Sequence, residues 1–208
     1  MITNSPTIEA EVLELRAKIQ VLERQLKRPK LIGLIGNAGA GKSTVGEILE
    51  RDYAFSKIRF AGPIKSMIRA LLFEAGIEHG RISEMLDGRL KETGCDELAG
   101  KSPRYAMQTL GTEWGRDFLS QNFWVDLTMH AVGNLQAMSK SVVVDDVRFP
   151  NEVNAIKDAG GRVFRVMRNH DPIPHAGHKS EGQILGFDAC ILNTGSIANL
   201  EDQISNLI

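Results

Sequence analysis

The fold is decided by one stretch, Leu31-Ile32-Gly33-Leu34-Ile35-Gly36-Asn37-Ala38-Gly39-Ala40-Gly41-Lys42-Ser43-Thr44. An apolar strand-like run leads into the pattern G-x-x-x-x-G-K-[ST], and an amphipathic helix follows through Leu49. Glycine lets the backbone bend so that successive N–H groups point at a phosphate, and the helix start adds the positive end of its dipole. A chance match is expected in roughly one chain in a hundred of this length. The sequence therefore predicts a P-loop in which residues 37–44 bind a nucleoside triphosphate.

Two side chains of this loop are predicted to act on the triphosphate. Lys42 neutralises the β- and γ-phosphates, which makes it the first predicted catalytic residue. Ser43 offers its hydroxyl to a Mg²⁺ ion that bridges the same two phosphates. Magnesium is therefore the expected cofactor, with the triphosphate as co-substrate.

A second apolar strand ends in two carboxylates, in the order Val142-Val143-Val144-Asp145-Asp146. An acid at the carboxyl end of a parallel strand lies at the sheet edge where ligands bind. Such an acid holds the metal directly or through water. We predict Asp145 and Asp146 as metal ligands, without choosing between them. The alternative is an acidic turn after a buried strand, which is common on its own.

Arg148 follows these acids closely and is predicted to reach the same crevice, where a guanidinium group suits bidentate contact with a phosphate. We predict that Arg148 and Asp146 are catalytic together with Lys42. Asn151 is predicted to cap the next helix. The alternative for Arg148 is an ordinary surface salt bridge.

Residues 102–116 are predicted to form a helix with Ser102 as its N-cap and Pro103 in its first turn. At helical spacing this segment has one apolar and one polar face. The apolar face is predicted to be a buried stripe of Met107, Leu110, Trp114 and Phe118.

The polar face of the same helix carries Arg104, Gln108, Gly111 and Gly115. Two glycines inside a helix reduce its stability, so something is expected to approach the backbone closely. A second ligand would explain them, with Arg104 on its phosphate and Gln108 near its base. Tight helix packing at the glycines is the alternative.

Beyond Pro29, apolar strand-like runs alternate with helical patterns, which is typical of a parallel sheet covered on both faces. We therefore predict an α/β class, a three-layer P-loop fold with a mostly parallel sheet. Residues 30–208 form this domain, and residues 1–29 form an N-terminal helix with a linker. The predicted strands are residues 31–35, 57–60, 141–145, 163–167 and 189–192.

Ser5 is predicted as the N-cap of the N-terminal helix and Pro6 as its first-turn proline. This helix shows a heptad pattern with β-branched residues at two of three a positions and leucine at two of three d positions. This pattern favours two parallel strands, and successive g and e positions carry opposite charges. We predict a homodimer through this helix that becomes monomeric, yet stays active, without residues 1–29. The alternative is that the stripe packs on the chain's own domain. The a positions are Val12, Ile19 and Leu26, and the d positions are Ile8, Leu15 and Leu22.

Composition excludes several classes of protein. The 208 residues carry a net charge of −1 with scattered basic residues, so no nucleic-acid polymer is expected as a partner. Cys95 and Cys190 lie far apart without the spacing of a metal or redox pair, which fits a reducing compartment. The sequence lacks a signal peptide pattern and a membrane-spanning run. We predict a cytoplasmic protein that does not bind membranes.

These features resemble the bacteriophage deoxynucleoside monophosphate kinases of the P-loop nucleoside-monophosphate-kinase superfamily. The resemblance covers nearly all of the chain after Pro29. In two places the sequence departs from the family pattern. Gly62 stands where many relatives carry an acid, and the N-terminal helix is not part of the pattern. The resemblance rests on residues 36–44, 60–65, 107–116, 146–152, 178–181 and 188–196, of which M-Q-T-L-G-T-E-W-G-R (107–116) and D-V-R-F-P-N-E (146–152) are the most distinctive.

The resemblance implies transfer of the γ-phosphate of ATP to a deoxynucleoside monophosphate, with the base left open. It implies that Asn193 and Gly195 lie near the adenine of ATP and that Arg168 acts as a lid arginine on ATP. The implied acceptor-binding residues are Lys65, Arg104, Gln108, Gly111, Arg116, Asp146 and Arg148.

Two other functions stay open at this point. A kinase of another phosphorylated metabolite is the nearest alternative, because animal-type phosphomevalonate kinases show similar arginine patterns. A P-loop module that binds a nucleoside triphosphate and acts through partners is the alternative from another class. His170, His175 and His178 also form a weak candidate metal site, for which a solvated loop is the alternative.

Overall fold

A computed structural model describes residues 6–168 and 186–208, without the side chains of residues 6–8 and 21–27. Within these residues, the strands form one sheet in which all neighbours pair in parallel, in the order β2-β3-β1-β4-β5. The predicted α/β class is confirmed. The strands are β1 (Leu31–Ile35), β2 (Phe55–Ile58), β3 (Ser141–Val144), β4 (Arg162–Met167) and β5 (Ala189–Leu192).

The bounds of β2 differ most from the prediction, since the strand lies two residues earlier than residues 57–60. The cause is a change of hydrogen-bond partner. The N–H groups of Phe60 and Ala61 donate to the carboxylate of Asp146 instead of a neighbouring strand. The chain therefore leaves the sheet after Ile58.

Helices cover both faces of the sheet, which gives the predicted three layers. On one face, α2 (Lys42–Tyr53) and α8 (Ile197–Leu207) pack against Ile32 and Leu34 of β1. On the other face, α6 (Phe123–Ala137) and α7 (Pro150–Asp158) pack against Leu31 and Ile35 of the same strand. Strands buried on both faces are apolar throughout, which explains the continuous apolar runs in the sequence.

A third apolar cluster lies among the helices between β2 and α6. Its members include Leu72, Leu86 and the partly buried Met107. These helices are α3 (Gly62–Glu74), α4 (His79–Leu86), a 3₁₀ turn (Asp96–Leu98), α5 (Pro103–Thr109) and a π-helix (Leu110–Leu119).

The start of α5 confirms the predicted cap, because the Ser102 hydroxyl accepts from the Tyr105 N–H and Pro103 begins the helix. The predicted buried stripe is wrong at two positions. Trp114 is 38% exposed and Phe118 is 79% exposed. Both lie in the π-helix, whose turn is wider than 3.6 residues, so α-helical spacing assigns its faces incorrectly.

The order of connections places a crevice between β1 and β3. The chain leaves β1 towards α2 on one face and leaves β3 towards α7 on the other face. In parallel sheets, ligands bind at the carboxyl ends of strands whose connections diverge in this way. The P-loop and residues 145–148 both lie at this crevice.

Helix α1 (Pro6–Lys27) precedes β1 and begins at the predicted proline. The residue that follows α1 is linked to α2, because the Arg28 guanidinium donates to the Tyr53 carbonyl over 3.4 Å and lies over the ring of Tyr53. The Ser5 cap and the side chains of Ile8, Leu22 and Leu26 lie outside the described residues. The division at residue 29 stays a prediction.

No helix in the described part of the chain has the length and hydropathy needed to cross a membrane.

Candidate functional site

The P-loop has the strained glycine backbone that its motif predicts. Gly36 and Gly41 have φ angles of 150° and 105°. A Cβ atom on Gly36 would stand 2.3 Å from the Val166 carbonyl oxygen, so strand β4 leaves room only for glycine there. The Lys42 ammonium donates to the carbonyl oxygens of Gly36 and Asn37, over 2.6 and 2.9 Å. Lys42 is thus folded back across the loop that is predicted to hold the phosphates.

Asn193 is joined to the same loop from the far end of the chain. Its side-chain amide donates to the Ala40 carbonyl over 2.9 Å, and its backbone N–H donates to the Met167 carbonyl over 2.7 Å. Gly195 and Arg168 are exposed at the ends of β5 and β4. The structure therefore brings the predicted adenine loop into contact with the P-loop.

A cleft of about 390 Å³ opens beside the P-loop. It brings together predicted residues that lie far apart in sequence. The other predicted residues do not line it: residues 37–41, Thr44, Arg168, Asn193 and Gly195. The predicted residues that line it are Lys42, Ser43, Lys65, Arg104, Gln108, Gly111, Arg116, Asp145, Asp146 and Arg148.

The two acids after β3 have separate partners. Asp145 is buried, and both of its carboxylate oxygens accept from the Arg59 guanidinium, over 2.7 and 2.9 Å. Asp146 accepts from the backbone N–H groups of Phe60 and Ala61, over 2.8 and 3.0 Å. Burial raises the pKa of Asp146 above its ordinary value, although these two hydrogen bonds oppose the rise. Sequence reasoning missed Arg59, because nothing in its local sequence points to an acid 86 residues away.

Glu152 connects two of the predicted acceptor arginines. One carboxylate oxygen accepts from the Arg116 guanidinium over 2.8 Å, and the other accepts from the Arg148 N–H over 2.6 Å. The Arg116 guanidinium also lies over the Phe149 ring, 4.0 Å from its centre. Burial raises the pKa of Glu152.

The prediction that Asn151 caps α7 is wrong. Glu152 takes that role, because its carboxylate accepts from the N–H of Phe149, the residue that precedes the helix. The Asn151 side chain instead donates to the Asn122 side chain over 2.8 Å.

The helical side of the cleft supplies further cations. Lys65 pairs with Asp87, and Arg104 pairs with Glu92. Lys91, which sequence reasoning missed, also lines the cleft. Its pKa is lowered mainly by burial and further by the nearby charges of Lys65, Arg104 and Arg148. A doubly negative phosphate would relieve this concentration of positive charge.

A neighbouring tryptophan contacts both glycines of the π-helix and explains one of them. The Trp124 indole N–H donates to the Gly111 carbonyl over 2.8 Å. A Cβ atom on Gly115 would stand 2.2 Å from the same indole nitrogen. Close packing, the alternative left open by the sequence, therefore accounts for Gly115. At Gly111 a Cβ atom would stand 3.1 Å from the Ile64 Cδ1 atom, and this glycine also lines the cleft.

The cleft as a whole is positively charged with one apolar wall. Seven lysines and arginines and three carboxylates line it. The apolar wall suits a flat ring, and the amide of Gln108 and the hydroxyl of Thr112 lie among these residues. Such a cleft can bind an anion that carries a planar apolar group. The apolar wall consists of Phe60, Ile64, Met107, Trp124 and Phe149.

The oxygen donors at the P-loop end fit Mg²⁺, which prefers carboxylates, hydroxyls, water and substrate phosphates. Ser43, Asp145 and Asp146 line this end together. Both carboxylates already accept hydrogen bonds from the chain, so contact through water disturbs the site least.

Within residues 6–168 and 186–208, no group of three or more acidic, histidine or cysteine side chains is placed to hold a metal. Substrate phosphates are among the oxygen ligands that Mg²⁺ accepts at such sites. The three histidines at 170, 175 and 178 lie outside the described residues.

The sequence similarity of the chain to known proteins identifies its family. A family model described as deoxynucleotide monophosphate kinase matches residues 96–204. The chain belongs to the deoxynucleotide monophosphate kinase family. This membership makes the protein a kinase, that is, a phosphotransferase. A protein of Acanthamoeba polyphaga mimivirus, named as a deoxynucleotide monophosphate kinase, is 30% identical over 191 residues, which cover 86% of this chain and 95% of that protein.

Two solved structures are similar at lower identity. Dephospho-CoA kinase from Campylobacter jejuni is 14% identical with a TM-score of 0.44, covering 86% of this chain and 95% of that chain. TT1252 from Thermus thermophilus is 16% identical with a TM-score of 0.46, covering 87% and 97%. Because both TM-scores are below 0.5, the fold of this family member rests on its own sheet order and P-loop.

Proposed function

We propose that this protein transfers the γ-phosphate of ATP to the phosphate of a deoxynucleoside 5′-monophosphate, giving the diphosphate. The observation that carries the proposal is one cleft that begins at Lys42 and Ser43 of the P-loop. The same cleft is lined by Arg104, Gln108 and Arg148. Direct transfer needs the two reacting groups within about 3–3.5 Å, so donor and acceptor must share one cleft.

The transfer needs no nucleophilic side chain. An ionised oxygen of the acceptor phosphate attacks the γ-phosphorus of ATP, the bond to the β–γ bridging oxygen breaks, and ADP leaves with that electron pair. Lys42 stabilises charge on the β- and γ-phosphates, and Arg148 stabilises charge on the transferred group. Magnesium, when bound through Ser43 and the acids, neutralises the same phosphates. Asp146 contributes at the P-loop end of the cleft by contacting the metal through a water molecule.

The acceptor is recognised at two places. Lys65, Lys91 and Arg104 surround its phosphate with positive charge, and Arg116 completes this group from the π-helix. The apolar wall receives the base. Gln108 has an amide that both donates and accepts, so it can bond to the edge of a base.

On the donor side, Asn193 and Gly195 border the adenine of ATP. The contact between the Asn193 amide and the Ala40 carbonyl supports this role, because it holds the loop after β5 against the P-loop. Arg168 follows β4 and is proposed to close over the ATP phosphates. The cytoplasmic location stays a prediction from the sequence.

The two alternatives fit the cleft less well. A phosphomevalonate-like acceptor has no planar ring to place against the apolar lining of the cleft, in which the Phe149 ring is 45% exposed. A module that only binds a nucleoside triphosphate has no use for a cationic cleft beyond the P-loop. The family assignment favours the monophosphate kinase over both.

The decisive experiment is an acceptor panel with ATP and Mg²⁺, read as ADP release in a coupled assay. The panel contains the four common deoxynucleoside monophosphates, the four ribonucleoside monophosphates, phosphomevalonate and no acceptor. We expect at least one deoxynucleoside monophosphate to raise ADP release about tenfold or more over the acceptor-free rate. The Lys42→Ala variant should show no such increase with any acceptor. Release without an acceptor indicates the binding module, and release with phosphomevalonate alone indicates the other kinase.

A further inference from the structure

Helix α1 carries an apolar stripe whose described side chains are exposed. Among its described side chains, Val12, Leu15 and Ile19 are 41%, 57% and 54% exposed. Their spacing of three and four residues makes a narrow seam, whereas a helix that packs on a globular core usually has a wider apolar face. The exposures contradict the alternative in which this stripe packs against the chain's own domain.

We propose that a second copy of this chain covers the stripe, forming a parallel two-stranded coiled coil. In a parallel pair, each g residue lies beside the e residue five positions later on the partner helix. Glu11 at g then meets Arg16 of the second copy. Lys18 at g meets Glu23, an e residue by its place in the sequence. Each of these pairs joins opposite charges and occurs twice in the dimer.

An antiparallel pairing of the same helices has the opposite electrostatics. When the three a positions lie opposite the three d positions of the reversed partner, g residues meet g residues and e residues meet e residues. Lys18 then lies beside the second Lys18, and Arg16 lies beside the second Arg16. Glu9 lies beside Glu23. All three pairs repel, so charge selects the parallel arrangement.

The charged residues beside the described part of the stripe are open to solvent. Glu11 and Arg16 are exposed. The described ion pair within the helix joins Glu14 and Lys18 over 2.7 Å, on positions c and g. Substitutions at positions 11 and 16 therefore change the dimer contact while leaving this pair in place. In the parallel dimer both kinase domains leave the same end of the coiled coil.

The first test is a charge exchange in the full chain, measured by sedimentation from about 1 to 500 μM. Glu11→Lys and Arg16→Glu should each raise the dimer dissociation constant about threefold to thirtyfold, since two attractive pairs become repulsive. The double variant Glu11→Lys with Arg16→Glu should restore the wild-type value. The control Glu74→Lys, with the same charge change at the exposed end of α3, should alter the constant at most about twofold. A wild-type chain that stays monomeric at every concentration would overturn the proposal.

The second test distinguishes the two orientations by cysteine cross-linking. In the parallel dimer identical residues face each other, so Leu15→Cys and Ile19→Cys should each form a disulfide-linked dimer alone. In the antiparallel dimer position 15 faces position 19, so cross-linking would require mixing the two variants. Ala17→Cys on the outer face and the wild-type chain, with its own Cys95 and Cys190, are the controls. Equal cross-linking at position 17 would contradict the seam, and unchanged kinase activity shows that each variant is folded.

Discussion

Arg59 holds both carboxylate oxygens of Asp145, the buried acid at the end of β3. The two residues follow adjacent parallel strands, so their pairing joins the ends of β2 and β3 beside the P-loop. Hydrogen bonding to Asp145 raises the pKa of Arg59, which remains charged. The charge of Asp145 is thus balanced by Arg59. If Asp145 acts on the metal as predicted, contact through a water molecule would leave this ion pair in place.

Arg59→Met should destabilise the protein, because it leaves the buried Asp145 carboxylate without its guanidinium partner. We expect a loss of about 1–3 kcal/mol in the free energy of unfolding, measured with urea. Arg89→Met is the control, since Arg89 is largely exposed and pairs with Glu84 at 3.6 Å. Equal stability of the two variants would show that Arg59 does not hold Asp145. The double variant Arg59→Met with Asp145→Asn should recover part of the loss, because the buried charge is removed.

Lys42→Ala should abolish turnover while leaving the fold intact. The lysine contacts carbonyl oxygens of an exposed loop and contributes nothing to the apolar core. We expect kcat to fall at least about 100-fold to 1,000-fold, as for other groups that stabilise transition-state charge. Circular dichroism should be unchanged, and Lys140→Ala, an exposed lysine outside the cleft, should keep full activity. Near-normal turnover in a folded Lys42→Ala protein would reject the P-loop assignment.

Arg104→Ala and Arg148→Ala should weaken use of the acceptor more than binding of ATP. Each substitution removes a charged hydrogen-bond donor that we propose for the acceptor phosphate, so we expect about a 10-fold to 100-fold rise in KM for the monophosphate. The KM for ATP should change at most about threefold by the same reasoning. Arg89→Ala serves as the matched arginine control. The opposite pattern, with ATP affinity lost and acceptor affinity kept, would place these arginines on the other ligand.

Lys91→Met tests a cleft residue that we propose to contact the acceptor phosphate. We expect the KM for the monophosphate to rise about tenfold, since one charged contact to its phosphate is lost. The melting temperature should not fall, because Lys91 is held in the cleft beside other cations that lower its pKa. Lys140→Met is the control. A lower melting temperature with an unchanged KM would indicate a purely structural lysine.

The lowered pKa of Lys91 also predicts a pH dependence of stability. The folded chain binds this proton less tightly than the unfolded chain, so the free energy of unfolding rises as the pH approaches the ordinary lysine value of 10.5 from below. Urea unfolding between about pH 8 and that value measures the slope. The contribution should be missing from Lys91→Met and present in Lys140→Met.

Local patterns were enough to predict the central strand, the P-loop and the acids that follow β3. In these segments the chemistry depends on residues adjacent in sequence, and the parallel sheet then brings two such segments to one edge. The same holds for Ser102, whose capping contact spans only three residues. These parts of the site were therefore visible before the fold was known.

The remaining parts depend on contacts that no local pattern encodes. Arg59 reaches the cleft because β2 pairs with β3, and Lys91 reaches it from the helical region, so neither placement can be read from its local sequence. The faces of residues 110–119 were assigned incorrectly because the helix widens to a π-helix there. The glycine at position 115 makes room for Trp124, a partner that is recognisable only in three dimensions.

Glu152 has a consequence for the range of acceptors that the enzyme can accommodate. One carboxylate is bonded to the Arg116 side chain and to the Arg148 backbone, so it ties the Arg116 guanidinium to the start of α7. The Arg148 side chain is not held by this link. A molecule that needs the Arg116 guanidinium at another place would have to break its bond to the buried Glu152. We therefore expect the site to tolerate changes in ligand shape less well at Arg116 than at Arg148.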